Sequence, residues 1–187
     1  MSTPRFEDIS PDTYTPEQLA AVDFFRETRG REPDGPFKVL LRSPEVLKRA
    51  QYLGAFLRYD CSISGPLSEF AILVIARVWS NDYEWYVHAP IALKSGVAPA
   101  IVEAIANNER PEGLSAEQAA IYDFSRELML VRKVSDATYA RAQALFGDRG
   151  IIDLVAINGY YSLLAMAMNT VQMRNPKDAV PLPPLAP

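Results

Sequence analysis

The residues best suited to chemistry are two glutamates and the chain's single histidine: Glu69, Glu84 and His88. Glu84 precedes His88 by four positions, and on a helix such positions share a face, so carboxylate and imidazole can touch. Glu69 stands fifteen residues before Glu84, near the start of a strongly apolar segment. Burial and mutual charge would move the pKa values of such a cluster away from those of free side chains. Imidazole already titrates near neutrality, so the three groups together suit proton transfer at neutral pH. Each also has a plainer explanation. Glu84 can close a capping box on Asn81, His88 can be an interior histidine satisfied by a carboxylate, and Glu69 falls in a first turn, where the helix dipole favours any acid. A two-glutamate, one-histidine metal site is a further option, but one histidine is a thin nitrogen supply; no metal and no cofactor are expected.

Aromatic residues interleave with this cluster. Tyr83, Trp85 and Asn81 are candidate substrate contacts, and Tyr86, Tyr122, Tyr160 and Tyr161 could add pocket walls. A substrate carboxylate would need a cation, for which Arg58 and Arg77 are candidates. Arg77 stands out as the one charge within the apolar run Phe70 to Trp79, although a salt bridge would explain it equally well. There is no G-x-S-x-G nucleophile elbow and no Gly-rich phosphate loop. Cys61 is the only cysteine, so an intrachain disulfide or a C-x-x-C pair is excluded. Its neighbours Asp60 and Ser62 offer no positive charge to lower its pKa, and an ordinary structural cysteine is expected.

The elements that must hold these residues read as helices throughout, with no sustained β-alternation. Thr15-Pro16-Glu17-Gln18 opens a helix to about Thr28, with Leu19, Val22 and Phe25 as its apolar stripe. Phe37 to Leu41 is a short apolar strip. Ser43-Pro44 opens the next helix, striped by Val46, Ala50, Leu53 and Leu57 and ending near Tyr59. Pro66 starts a helix apolar on nearly every face, which marks it as central. Ser80-Asn81-Asp82 is a turn or cap into the helix bearing Glu84 and His88, where Pro90 predicts a kink and Gly96 a C-terminal stop. Further helices are predicted at Pro99–Asn107, Ser115–Arg132 with a Ser115-x-x-Gln118 box, Ser135–Phe146 and Asp148 to about Met173.

The expectation is one all-α domain of about six to eight helices over residues 16–174, with an N-terminal arm (1–15) and a proline-rich C-terminal arm (175–187). Of the 187 residues 49% are hydrophobic and 22% charged, the balance of a soluble globular protein. A net charge of −4 argues against nucleic acid or an anionic membrane as partner. No uninterrupted run of 18 or more apolar residues occurs, and the first ten residues lack a signal-peptide pattern, so a cytoplasmic location is expected.

The pattern Tyr83-Glu84-Trp85-x-x-His88-x-x-x-Ala92-x-x-x-Gly96-Val97 resembles the carboxymuconolactone decarboxylase family, which also contains the alkyl hydroperoxidase D-like (AhpD-like) proteins. Glu69, the Pro99-x-x-Val102-x-x-Ile105 segment and Val134-Ser135-Asp136 add to the resemblance, which spans about residues 40 to 173. The family's peroxidase branch carries C-x-x-C-x-x-x-H. Aligned on His88, the two cysteines fall on Asn81 and Glu84, so the thiols of that cycle are missing. The resemblance therefore implies the non-CxxC branch: an AhpD-like fold, a cofactor-independent lyase or isomerase for a small carboxylated lactone or oxo-acid, and a trimer or hexamer. It further implies that His88 protonates the substrate, while Glu84 holds the imidazole in the right tautomer and Glu69 tunes the pair or binds the lactone oxygen. Two rivals are a thiol peroxidase using Cys61 and a non-catalytic small-ligand-binding protein of the same fold.

Overall fold

Prolines and capping residues decide where most of the helices begin. In a computed structural model, which describes residues 4–185, α1 (Pro16–Arg29) opens on a reciprocal box: Thr15 Oγ1 accepts from the Gln18 amide, and the Gln18 side chain accepts from the Thr15 amide. Gly30 ends it with φ of 67°, its amide donating to Arg26 at 2.8 Å. The short α2 (Pro36–Leu40) and α3 (Pro44–Tyr59) follow, each with proline in the first turn. Ser43, expected to cap α3, makes no side-chain capping bond.

Next, α4 (Gly65–Val78) runs through the middle of the fold, packed against α3 and the later helices, with every residue from Ser68 to Arg77 buried. A short turn leads into α5 (Asp82–Lys94), where Ser80 takes φ of 45° and the Asn81 side chain accepts from the Glu84 amide at 2.9 Å. Helix α5, where a kink was expected at Pro90, runs as one continuous helix through that residue. It stops at Ser95: the amides of Gly96 and Val97 donate to Leu93 and Ala92, a full Schellman closure with glycine at φ of 98°.

Helices α6 (Pro99–Ala106) and α7 (Ala116–Arg126) come next, α7 with the predicted Ser115–Gln118 box. The helix read as reaching Arg132 is α-helical only to Arg126; it continues as a π-helical turn, Glu127–Val131, and ends with Arg132 left-handed. The last two predicted helices form one long path, α8 (Asp136–Val171), broken at Gly147 (φ 64°, ψ −178°). The described residues thus form eight α-helices and no strand.

Two features depart from the stripes read in the sequence. Leu19, Val46 and Leu53 are exposed; Ala21 in α1, and Leu47, Gln51 and Gly54 in α3, are buried instead. α8 has an 18-residue window of mean hydropathy 1.5, long and apolar enough by composition to cross a membrane, but 61% of that window is buried in the fold.

The described residues of both arms, 4–15 and 175–185, lie along the helical body. At the N-terminus, the Arg5 amide donates to Val171 O, Lys38 pairs with Asp8, and the Arg42 guanidinium covers Phe6. The C-terminal arm is tied to α4 and α5. Asp82 accepts from the Leu182 amide and the Asn175 side chain, Tyr86 donates to Asp178, and Arg77 donates to Pro183 O at 2.8 Å. Arg77 Nε has no hydrogen-bond partner among the described residues.

α3 meets α8 at Gly54, where a Cβ would collide with the Tyr160 hydroxyl and ring. Gly54→Ala should therefore destabilise the protein by about 1–3 kcal/mol, because overpacking outweighs the gain of roughly 0.5–1 kcal/mol in helix propensity. Urea unfolding with an unchanged m-value would register this as a lower midpoint.

Candidate active site

The α4–α5 hairpin makes the site by simple arithmetic. Glu69 lies ten residues before Trp79 and His88 nine after it. At ~1.5 Å rise per residue the two reach nearly the same height on neighbouring helices. There the His88 ring lies between two carboxylates. Nδ1 is 2.7 Å from Glu69 Oε2, and Nε2 is 3.4 Å from Glu84 Oε2. Arg58 on α3 extends the chain, its Nη2 lying 3.5 Å from the other Glu69 oxygen. His88, Glu69 and Glu84 are all buried, and Arg58 is partly exposed.

These contacts exclude the capping-box explanation of Glu84. The amide that a capping box would offer it, that of Asn81, donates instead to Ala76 O at 2.9 Å. The Glu84 side chain is turned to His88, and its second oxygen, Oε1, is buried with no hydrogen-bond partner among the described residues. A carboxyl oxygen buried without a hydrogen-bond partner is costly, so it marks a place where a donor belongs.

The electrostatics of the ring follow from opposed effects. Burial disfavours the imidazolium, but hydrogen bonds to Glu69 and Glu84 and their negative charge together outweigh it, so the His88 pKa lies above its ordinary 6.5. The imidazolium donates Nδ1–H to Glu69 and presents Nε2–H to Glu84. Because the carboxylates take opposite edges of the ring, they bridge through it and do not converge on one point.

A cleft of about 90 Å³ opens over this chain. Glu84, His88 and Arg58 line it together with Tyr83, Tyr160, Tyr161, Leu164, Phe37 and two further cations, Arg29 and Arg31. Tyr161 meets the His88 ring edge-on at 5.3 Å and Tyr160 at 5.2 Å. Burial raises all three tyrosine pKa values, that of Tyr83 to about 12, which keeps their hydroxyls neutral at pH 7. Tyr83 rests on Gly35, where φ is 48° and any Cβ would strike its ring. Beyond Tyr83, beneath the C-terminal arm, lies a larger hollow of about 690 Å³ lined by Asn81, Asn169, Met173 and Lys177 among others.

The predicted residues divide accordingly. Glu69, Glu84, His88 and Arg58 come together, with Tyr83 at the mouth. Arg77, Trp85 and Asn81 are not walls of the cleft: Arg77 is committed to the C-terminal arm, Trp85 packs on the core, and Asn81 caps α5 and bonds Asn169. Tyr122 donates to Glu109 O away from the site. Cys61 is also elsewhere, its Sγ against the carbonyls of Leu57 and Ile63, and burial raises its pKa. Sequence reasoning missed Arg29 and the two glycines that seat the tyrosines. A glycine inside a helical pattern at position 54 was the available signal.

No family model matches the chain, and no curated protein matches it. Solved structures do. An uncharacterized peroxidase-related protein from Ralstonia eutropha JMP134, described as an alkylhydroperoxidase AhpD core, superposes with TM-score 0.73 at 16% identity over 95% of each chain. An uncharacterized peroxidase-related protein from Silicibacter sp. TM1040 gives 0.72 at 16% identity, over 94% of this chain and 93% of that one. A protein of unknown function from Agrobacterium tumefaciens, described with the AhpD name, gives 0.67 at 11% identity, covering 74% and 96%. The chain has an AhpD-like all-α fold.

Since His88 is the only histidine, its ring gives a single titration curve by NMR. Its pKa should exceed 6.5 in the native protein and fall in Glu69→Gln and in Glu84→Gln. The sign for stability follows: the folded-state pKa is raised, so this contribution is full below about pH 6.5 and fades as pH rises through the raised value. Thermal stability of the native protein relative to His88→Gln should narrow over that window.

Proposed function

We propose that the protein is a cofactor-independent acid–base enzyme of the carboxymuconolactone decarboxylase type, a lyase or isomerase acting on a small carboxylated lactone or oxo-acid. One observation carries this reading: a buried carboxylate oxygen without a donor, Glu84 Oε1, in a residue that lines a cleft, backed by an imidazole that a second carboxylate holds. The non-CxxC character of the motif, with Asn81 and Glu84 at the two cysteine positions, supports the same branch.

In this reading the roles of the two glutamates exchange relative to the sequence expectation. Glu69, the closer partner at 2.7 Å, fixes the ring and its tautomer, and Glu84 shares the Nε2–H proton of His88 at the cleft. For decarboxylation, the substrate's C–C bond breaks, CO2 leaves, and the electron pair stays on the α-carbon as an enolate. The proton shared by His88 and Glu84 then forms the new C–H bond, and solvent restores it. Arg58 and Arg29 supply the cations for the substrate's carboxylate and enolate oxygen, a role the sequence had offered to Arg58 and Arg77. At ~30 Å³ per water, the cleft holds roughly three waters, less than the ~150 Å³ of a cavity that binds benzene. It therefore takes the reacting end of the substrate, and the remainder lies past Tyr83 toward the larger hollow.

The descriptions of the structural neighbours favour a peroxidase as the second reading. Here the thiol would have to be Cys61, which lies outside the cleft with a raised pKa, the opposite of what an attacking thiolate needs.

Small oxo-acids and carboxylated lactones should be screened by NMR in D2O for CO2 loss or exchange of α-protons. On a substrate so found, His88→Gln and Glu84→Gln should each lower kcat about 10²–10⁴-fold. Cys61→Ala should leave turnover intact. Full turnover in both His88→Gln and Glu84→Gln would refute the assignment, and peroxide consumption that depends on Cys61 would establish the second reading.

A further inference from the structure

The outward face of α8 lacks the composition of a solvated surface. Between Gly150 and Met168 every exposed position is apolar or glycine: Ile152 (65% exposed), Val155 (41%), Gly159, Leu163 (38%) and Met166 (42%). The half-buried positions between them are Ala156, Ser162 and Ala167. A helix packed on a core ordinarily turns charged residues outward, and here about five turns carry none. Exposed polar residues return only at the ends, with Asp148 and Arg149 before the stripe and Asn169 and Thr170 after it.

The stripe is also symmetric. Val155 and Leu163 stand four residues either side of Gly159, and Ile152 and Met166 seven either side. The polar ends repeat the symmetry: Arg149 and Asn169 are ten residues from Gly159, Asp148 and Thr170 eleven. Seven residues are two turns, the spacing that keeps side chains on one seam between paired helices. An isologous contact requires this arrangement, since each residue must meet the partner copy of its mirror position. Nothing lies within 4 Å of a Cβ placed on Gly159, so within one chain the position is open space, and its bare backbone lets a second helix approach.

We propose that this face is a two-fold dimer interface, in which α8 pairs antiparallel with α8 of a second copy of this chain and Gly159 lies on the axis. Ile152 then packs against the partner's Met166, and Val155 against the partner's Leu163. The apolar centre with polar ends follows the usual anatomy of a protein interface. A lipid surface is the competing occupant, since α8 is apolar and long. Helices that lie on membranes, however, carry a polar face rich in Lys and Arg. Here Arg149 is the one basic residue flanking the stripe, in a chain of net charge −4.

The test is sedimentation equilibrium of the full chain. The native protein should show an even multiple of the 20.8 kDa chain mass. Gly159→Glu, which sets two like charges on the axis, should halve that mass with no loss of helical circular dichroism. Glutamate forms helix better than glycine, its Cβ meets nothing within 4 Å and the position is exposed, so the fold itself is not at risk. In a Cys61→Ser background, Gly159→Cys should cross-link under oxidation, because a residue on the axis meets itself. Ile152→Cys should not, because its mirror position is fourteen residues away. A monomeric or odd-numbered native assembly, a mass unchanged by Gly159→Glu, or equal cross-linking at positions 152 and 159 would each overturn the pairing. So would a monomer that binds phosphatidylcholine–phosphatidylglycerol vesicles through the Gly159 face.

Discussion

The structure depends on keeping charge inside an apolar hairpin. Glu69 and His88 project from α4 and α5 where burial is nearly complete, and neither could remain there ionised alone. They are tolerated because they stand at matched heights and satisfy each other, with Arg58 and Glu84 at the two ends of the chain. The short link around Ser80 sets that match. Shifting the link by one residue would rotate the imidazole out of register with Glu69 and leave two buried charges unpaired.

Buried charge recurs at the far end of the same helix with a different outcome. Arg77 is buried to the same degree, but its hydrogen-bonded acceptor is a backbone carbonyl of the C-terminal arm. The arm is therefore part of the folded body, and the hollow beside Tyr83 exists because Arg174 to Pro181 roof it. In this way α4 holds the chemistry of the site at one end and its outer enclosure at the other.

Much of the fold was legible in the sequence because local rules carry it. The Thr15 and Ser115 boxes, the Gly96 stop, the Asn81 cap and the all-round apolarity of α4 are short-range features, and all are present. The Glu84–His88 contact was legible for the same reason, being a four-residue helical spacing. Errors arose where tertiary packing chooses among local options. Arg77 stood out over Arg58 as a cation in the sequence, and only the packing of α3 against α4 and the course of the arm place Arg58 at the site and Arg77 against the arm. Leu53 and Val46 fit a helical stripe as well as Leu47 and Gly54 do; the bulk of Tyr160 on α8 decides which face turns inward. Glu84 had two valid local partners, and the Asn81 amide was taken by Ala76.

The seat of Tyr83 on Gly35 bears on how such a protein can diverge. The aperture of the cleft is set by a residue that takes no part in the proton chain, on a separate loop almost fifty positions upstream. A change in that loop alters the wall of the cleft while the Glu69–His88–Glu84 contacts stay untouched. Access to the cleft and the charge chain beneath it are thus encoded on different segments of the chain.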